Sequence, residues 1–484
     1  MPPSPSTRSQ AAAPPRRDRG DACPGALRLH QAADGHLARI RLPAGDLTVR
    51  QATALADAAE LLGDGHLSLT SRGNAELRGL AEDCGGHLAA LLRDAGLLPS
   101  ERHERIRNIL ASPLAGLDRH TPSDVRRWAR ELDALLCASE SATALSGRFL
   151  FVLDDGRGDV AALGGDVSLL AESAGDGAGP AGSALLRVGD DPAALRIAGP
   201  DVPRAALTAA EAFLTAAAAS GSGAWRVREL PDGHRLTARD VAGTLHSAGI
   251  EAAYVAEAPI SATRTSPPYA PPYAPLYGDS ATAPYADSAA PGIVEGPDGY
   301  RALSVLAPLG RLTVAQWRLL TAIATDDGSG ALRLTPWRGV VLPGLPSATA
   351  SDRLAELTAA GLITDPASPW HRLGACTGRP GCAKSRTDVR ADATAAVATG
   401  TTVPAEAPTG SPPLGAPVPP LGLPVTPTGV PVYWSGCERR CGHPHGTWVD
   451  VLATAEGYRV ALMAPDTTPT AAPASARTAA PPAP

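Results

Sequence analysis

The sequence predicts an α+β fold with internal pseudo-two-fold symmetry: two tandem copies of one small unit, each followed by an α/β module. Two observations carry this reading. Residues 47–98 align without a gap to residues 312–363 at a constant offset of 265, with 19 identities in 52 positions. Abundant Ala and Leu inflate that score, but the glycines do not depend on composition: Gly63, Gly65, Gly79 and Gly96 face Gly328, Gly330, Gly344 and Gly361. Secondly, the hydrophobic period changes in the same order within each copy, which fixes the order of strands and helices.

Within the first copy, "HLARIRLP" reads as a strand, with Leu37, Ile40 and Leu42 set among charges. "TVRQATALADAAELL" reads as a helix, with Thr48 as N-cap and Gly63 as stop. "HLSLT" and "AELRGL" are short strands around a turn at Gly73-Asn74, and "GGHLAALLRDAG" is a second helix. A strand–helix–strand–strand–helix unit of this size looks ferredoxin-like. Two tandem units predict a ligand where the halves meet.

The boundaries follow from shifts in composition. Residues 1–20 read as a disordered N-terminus, 21–120 as the first repeat and 121–262 as the first α/β module, with helices in "DVRRWARELDALLCA" and "RAALTAAEAFLTAAAA" and strands in "GRFLFVLDD" and "ALLRVG". Residues 263–292 form a Pro/Tyr-rich linker, 293–364 the second repeat, and 365–463 a cysteine-bearing module interrupted by a Pro-rich insert at 404–429. Residues 464–484 read as a disordered tail.

The 484 residues include 50 Gly and 48 Pro, in keeping with long linkers, and carry a net charge of −6, which supplies no basic field for nucleic acid. No run of eighteen apolar residues exists to span a membrane, and the opening stretch lacks the apolar core of a secretory signal. A cytoplasmic, reducing setting is the expectation. There, seven cysteines are too few and too unevenly placed for a disulfide framework.

Four of the cysteines stand in two pairs, Cys376 with Cys382 and Cys437 with Cys441, each wrapped in glycine. Four thiolates suit an iron–sulfur cluster, structural zinc or disulfides. The five-residue gap between Cys376 and Cys382 is wide for a zinc knuckle. A larger iron–sulfur cube tolerates it, and Gly374, Gly378, Gly381, Gly436 and Gly442 permit backbone N–H groups to turn toward sulfur.

"ACTGRPGCA" and "SGCERRCGHP" resemble the 4Fe-4S signature of the sulfite and nitrite reductase family, in which a tandem ferredoxin-like repeat surrounds a tetrapyrrole. The resemblance covers residues 21–463 outside the Pro-rich inserts, and it implies a sulfite-reductase-like α/β module after each repeat. "CPGALRLHQAADGHLARIRLPAGDL", Gly-Asn after the arginine of "LTSRGNAELRGL", and His-Pro after the last cysteine resemble the family's precorrin branch. Sulfite reductases more often show Arg-Gln and Pro-Asn at these places.

The resemblance implies an acidic tetrapyrrole ligand, whose acetates and propionates call for arginines on one wall. Arg39, Arg41, Arg72, Arg78, Arg107 and Arg148 are the candidates. Arg107 stands in "RNILASPLAG", which resembles the reductases' Arg-Asn motif, and Arg148 matches a lysine of theirs. Their second lysine is replaced by Leu150, which disfavours sulfite or nitrite. In the second repeat Trp337 and Pro343 stand opposite Arg72 and Arg78, so one working site is expected, with the first half holding ligand groups.

The resemblance further implies an oxidoreductase of monooxygenase type: a 4Fe-4S cluster on Cys376, Cys382, Cys437 and Cys441, precorrin-3A and dioxygen as substrates, and hydroxylation at C20 with γ-lactone formation. Electrons would come from a donor such as NADH through a reductase, or from a ferredoxin. A mononuclear non-haem iron is also implied, though no two-His-one-carboxylate set is legible. The rivals are a siroheme-dependent sulfite or nitrite reductase and a non-enzymatic iron–sulfur electron carrier or sensor. His443 and His445 flank the last cysteine, while Cys23, Cys84 and Cys137 stand alone.

Overall fold

The computed structural model describes residues 21, 23–118, 125–172, 182–257, 290–400, 430–444 and 446–463. The expected disordered N-terminus and tail, the insert at 404–429 and linker residues 263–289 lie outside the described residues.

In the first repeat β1 (His30–Ala32) and β2 (Gly35–Ile40) form a hairpin, and β3 (Asp46–Thr48) leads into α1 (Val49–Leu61). A second hairpin, β4 (His66–Leu69) and β5 (Ala75–Leu80), is followed by α2 (Gly85–Asp94). The second repeat reproduces the order: β12 (Gly292–Glu295), β13 (Tyr300–Leu306), β14 (Arg311–Thr313), α6 (Val314–Asp326), β15 (Ala331–Leu334), β16 (Gly339–Pro346) and α7 (Ser347–Ala359).

The offset of 265 recurs in the backbone. Thr48 and Gln51 close a capping box at the start of α1, and Thr313 with Gln316 closes its twin at α6. Ala44 and Leu309 both take left-handed φ, at 57° and 52°, each just before a glycine that does the same. Such a pair of non-glycine outliers at matched positions is a property of the turn, not of the residue.

The repeats are not closed in themselves. β14 of the second completes the sheet of the first, pairing Arg311 with Ser68, and β3 of the first completes the sheet of the second, pairing Asp46 with Arg333. The resulting orders are β1-β2-β5-β4-β14 and β12-β13-β16-β15-β3. One apolar core joins both, including Leu55, Leu67 and Leu77 from one side and Trp317, Leu320 and Leu342 from the other. Trp317 donates its Nε1–H to the Ala52 carbonyl at 2.8 Å, a link between α6 and α1. Neither repeat has a complete sheet or core without its mate.

The first module is a six-stranded sheet ordered β11-β10-β9-β8-β7-β6. It comprises β6 (Ile109–Ala111), α3 (Val125–Ala138), β7 (Phe151–Asp154), β8 (Val167–Ala171), β9 (Ser183–Val188), β10 (Ala194–Ala198), α4 (Val202–Ser220), α5 (Ala238–Ser247) and β11 (Ala252–Val255). Its sheet therefore begins at Ile109, before the boundary expected at 121; a strand of three residues shows no period in sequence. Likewise β12 takes in Gly292, assigned above to the linker.

The second module is a four-stranded sheet: β17 (Leu373–Ala375), α8 (Val389–Ala398), β18 (Val432–Ser435), β19 (Trp448–Thr454) and β20 (Gly457–Met463). β17, β18 and β19 run parallel and β20 antiparallel, as β6, β7 and β8 run parallel and β9 antiparallel. Leu150 and Val152 of the first module pack with Leu306, Trp337 and Ile363 of the second repeat, so modules and repeats interlock.

Candidate functional site

The cysteines lie on the loops that follow two adjacent parallel strands. Cys376 comes directly after β17, and Cys437 lies two residues after β18. The pairing of Ala375 with Trp434 sets the two loops side by side. Cys376 donates its backbone N–H to the Trp434 carbonyl at 3.0 Å, and the Gly436 N–H donates to Cys376 Sγ at 3.2 Å. The loops are tied again by Arg386 N–H to the Gly436 carbonyl at 2.9 Å, and the Tyr433 hydroxyl donates to the Cys441 carbonyl at 2.6 Å. Gly436 is required by crowding, because a Cβ there would overlap the Ser385 hydroxyl.

All four thiols are free; Cys376, Cys382 and Cys437 are half-buried and Cys441 is exposed. Burial raises the pKa of Cys376, and the negative charge of Cys382 and Cys437 raises it further. Among the described residues no three of these sulfurs gather within 4.8 Å of one another. Tetrahedral zinc, with Zn–S near ~2.3 Å, draws sulfurs closer than that. Four thiols on glycine-rich loops, with an N–H already aimed at sulfur, fit a 4Fe-4S cluster.

The six arginines divide. Arg41 and Arg72 have no carboxylate partner among the described residues. Arg41 is buried; it donates to the carbonyls of Arg105 at 3.1 Å and Pro24 at 3.4 Å, and its Nη1 is buried without a partner. Burial lowers its pKa to about 9, with Arg39 and Arg72 pressing the same way. Arg72 donates to the Gly147 carbonyl at 3.3 Å, and burial together with Arg226 lowers its pKa to about 10. Arg148 is exposed and stacks over the Trp225 ring at 4.8 Å. Arg41, buried, and Arg72, half-buried, are held only by carbonyls among the described residues and retain donor capacity for an anion.

The other three have carboxylate partners within the chain. Arg39 pairs with Glu76 at 2.6 Å. Arg78 pairs with Asp34 at 2.9 Å and Glu76 at 3.2 Å, and donates to the Gly381 carbonyl at 2.8 Å, beside Cys382. Arg107 is buried and clamped by Asp133 of α3 at 2.6 and 2.7 Å. The Arg107 pair ties the start of the first module to α3, whereas Arg39, Glu76 and Arg78 form a chain of ion pairs that reaches the cysteine loops.

Leu150 is buried beside Trp337 and Leu306 and offers no side chain to an open site. His443 stacks on Trp448, with ring centroids 5.1 Å apart, and its Nδ1 contacts the Pro444 carbonyl at 2.7 Å. His445 lies outside the described residues. Sequence reasoning missed Arg338 and Arg390. Arg338 directly follows Trp337 and takes left-handed φ, 61°, where the first repeat has Gly73 at 64°. Looking one residue past the aligned position finds it. Arg390, in the first turn of α8, donates from Nε to the Cys376 carbonyl at 3.2 Å.

Among the described residues one acidic cluster outside the cysteine loops is a candidate for a second metal. The carboxylates of Asp154, Asp155 and Asp159 lie close enough to one another to hold an ion. However, Asp154 already accepts four N–H groups, from Gly156, Gly158, Val160 and Ala161, and Asp155 is held by Arg157. An ion would have to displace donors that already satisfy these oxygens.

The family model for the nitrite/sulfite reductase ferredoxin-like half domain matches twice, at residues 30–93 and 294–360. A precorrin-3B synthase of Sinorhizobium sp is 35% identical over 156 residues, 32% of this chain and 33% of that protein. A ferredoxin–nitrite reductase of Synechococcus elongatus is 33% identical over 127 residues, 25% of each chain. The chain thus matches a third or less of the length of these relatives. The solved structure of the Mycobacterium tuberculosis NirA protein superposes with a TM-score of 0.62 at 18% identity, covering 88% of this chain and 74% of that one. No helix among the described residues is long and apolar enough to cross a membrane. A matched half domain in each repeat, the shared fold and the similarity to precorrin-3B synthase converge: the chain carries the tandem half domains of the nitrite/sulfite reductase family and resembles its precorrin-3B synthases.

Proposed function

We propose that the chain is an iron–sulfur oxidoreductase acting on an acidic tetrapyrrole, with the activity of a precorrin-3B synthase: dioxygen-dependent hydroxylation of precorrin-3A at C20 with closure of a γ-lactone. One oxygen atom enters the product and the other leaves as water, which consumes two electrons and two protons from a donor such as NADH through a reductase, or a ferredoxin. The observation that carries this reading is the pair of cations, Arg41 and Arg72, without carboxylate partners among the described residues, near the chain of ion pairs by which Arg39, Glu76 and Arg78 reach the four-cysteine loops. Arg41 and Arg72 would bind and orient ligand carboxylates; Cys376, Cys382, Cys437 and Cys441 would hold the cluster. The cluster, when bound, supplies electrons one at a time.

Arg72→Ala is expected to weaken binding of precorrin-3A ten- to a hundred-fold, roughly 1.5–3 kcal/mol for one charge-assisted contact, and to leave the cluster spectrum unchanged. Turnover with labelled dioxygen should place one labelled oxygen in a lactone product. Label arriving from water, or reduction of nitrite or sulfite instead, would favour the second reading, a siroheme-dependent reductase. The nitrite reductases among the relatives favour that reading, while Leu150 does not.

A further inference from the structure

We propose that Arg78, Arg338 and Arg390 form a cationic collar around the cysteine loops and set the reduction potential of the metal cluster those loops hold. The inference rests on the cluster reading above and goes beyond it. Each arginine reaches a different piece of the ligand loops. Arg390 donates from Nε to the carbonyl of Cys376 itself, at 3.2 Å. Arg78 donates to the carbonyl of Gly381, the residue before Cys382, at 2.8 Å. Arg338 lies with its Nη2 3.5 Å from where a Cβ on Gly442, the residue after Cys441, would sit.

The charge balance differs among them. Arg78 is compensated by Asp34 and Glu76, and the nearby Arg311 by Asp64 at 2.6 Å. Arg390 has no carboxylate partner among the described residues, and its one side-chain hydrogen bond there goes to a carbonyl. Burial, then Arg311 and Arg338, lower its pKa to about 10, so it stays charged at neutral pH under mutual repulsion. An uncompensated buried cation is costly unless an anion lies close by. A thiolate-ligated cluster is that anion, and reduction adds one more negative charge to it. The collar therefore stabilises the reduced state more than the oxidised one and raises the potential. Lys384 and Arg386 are exposed on the same loop, and water screens them.

The test is a redox titration of the anaerobically purified full chain, followed optically and by electron paramagnetic resonance, with iron and sulfide counted for every variant. Arg390→Gln is expected to keep the cluster while the reduced-to-oxidised ratio at the wild-type midpoint falls about ten-fold, a downward shift of ~59 mV for one electron. Arg390→Lys, which keeps the charge, should hold the wild-type midpoint. Arg338→Gln should shift it downward by less, and it decides the matter if Arg390→Gln does not load. Fully loaded glutamine variants with wild-type midpoints would overturn the collar, as would Arg390→Lys falling as far as Arg390→Gln. A wild-type chain that takes up no 4Fe-4S cluster would overturn the proposed function itself, and the collar with it, which is a different result from a loaded cluster with unmoved potential.

Discussion

The two α/β modules place loops at the same ends of corresponding parallel strands and fill them with opposite chemistry. After β6 and β7 of the first module come Ser112 and the stretch from Asp155 to Asp166. After β17 and β18 of the second come Cys376 to Asp388 and the stretch from Gly436 to Gly446. In the first, the chain supplies its own cation. Arg157 is half-buried between Asp155 and Asp118, each at 2.8 Å, while Asp154 is saturated by backbone N–H groups and Asp159 accepts from Ser112 at 2.6 Å. In the second, four free thiols stand on two neighbouring loops, and arginines touch the loop carbonyls. One frame holds an internal cation; the other is the frame that the proposed cluster would complete. On the proposed function, this difference is why a pseudo-symmetric molecule would have one working site.

The comparison can be broken at several points. The largest effect is expected from Cys376→Ala, which should reduce bound iron and sulfide to background, while Cys84→Ala, on a thiol remote from both loops in sequence, keeps the full complement. Retention of a complete cluster in Cys376→Ala would show that the two frames do not differ as described.

Arg157→Met acts on the other frame. It leaves the buried Asp155 without its Arg157 partner, and removing one partner of such a pair costs about 3–5 kcal/mol. A urea denaturation series on the cluster-loaded chain should show that loss, with iron content per folded chain unchanged. A wild-type midpoint would mean that the internal cation is dispensable.

Asp159→Asn tests the same frame by pH. Burial, then the charges of Asp154 and Asp155, raise the pKa of Asp159 from the ordinary carboxylate range to about 8. Between about pH 4 and that value the folded chain holds a proton that the unfolded chain releases, so this group's contribution to stability falls as pH rises. Asparagine removes the titration. The variant should gain on wild type from pH 5 to pH 8 by at least ~1.4 kcal/mol, the equivalent of one pKa unit. A difference independent of pH would refute the assignment.

The smallest effect concerns the repeats, which share a core where the modules do not. Trp317→Phe removes the hydrogen bond to the Ala52 carbonyl and should cost about 1 kcal/mol in thermal or urea unfolding, with a single cooperative transition retained. Two separate transitions would contradict a core common to both halves.

Much of this was legible in sequence because it is local. The gapless match at a fixed offset and its paired glycines exposed the duplication, and the N-cap at Thr48 lies within one helical turn of the Gln51 that completes its capping box. The cysteine pairs are short motifs on single loops, so their adjacency to glycine could be read directly. The arginines were read less well, because the value of a cation depends on its partners. Arg107 meets Asp133 across 26 positions, and Arg78 meets Asp34 across 44 and Gly381 across 303. Nothing in the local pattern distinguishes these from Arg41 and Arg72, which lack carboxylate partners among the described residues.

By itself the sequence determined the duplication, the secondary-structure order within each repeat and the four-cysteine motif, since periodicity, capping and short spacing are properties of neighbouring residues. Only the tertiary structure decided that β3 and β14 change places between sheets, that Arg39, Arg78 and Arg107 have carboxylate partners while Arg41 and Arg72 have none among the described residues, and that Arg338 and Arg390 stand at the cysteine loops. Strand pairing and charge compensation are settled between groups far apart in the chain, and burial, which sets how strongly those charges act, exists only once the chain has folded.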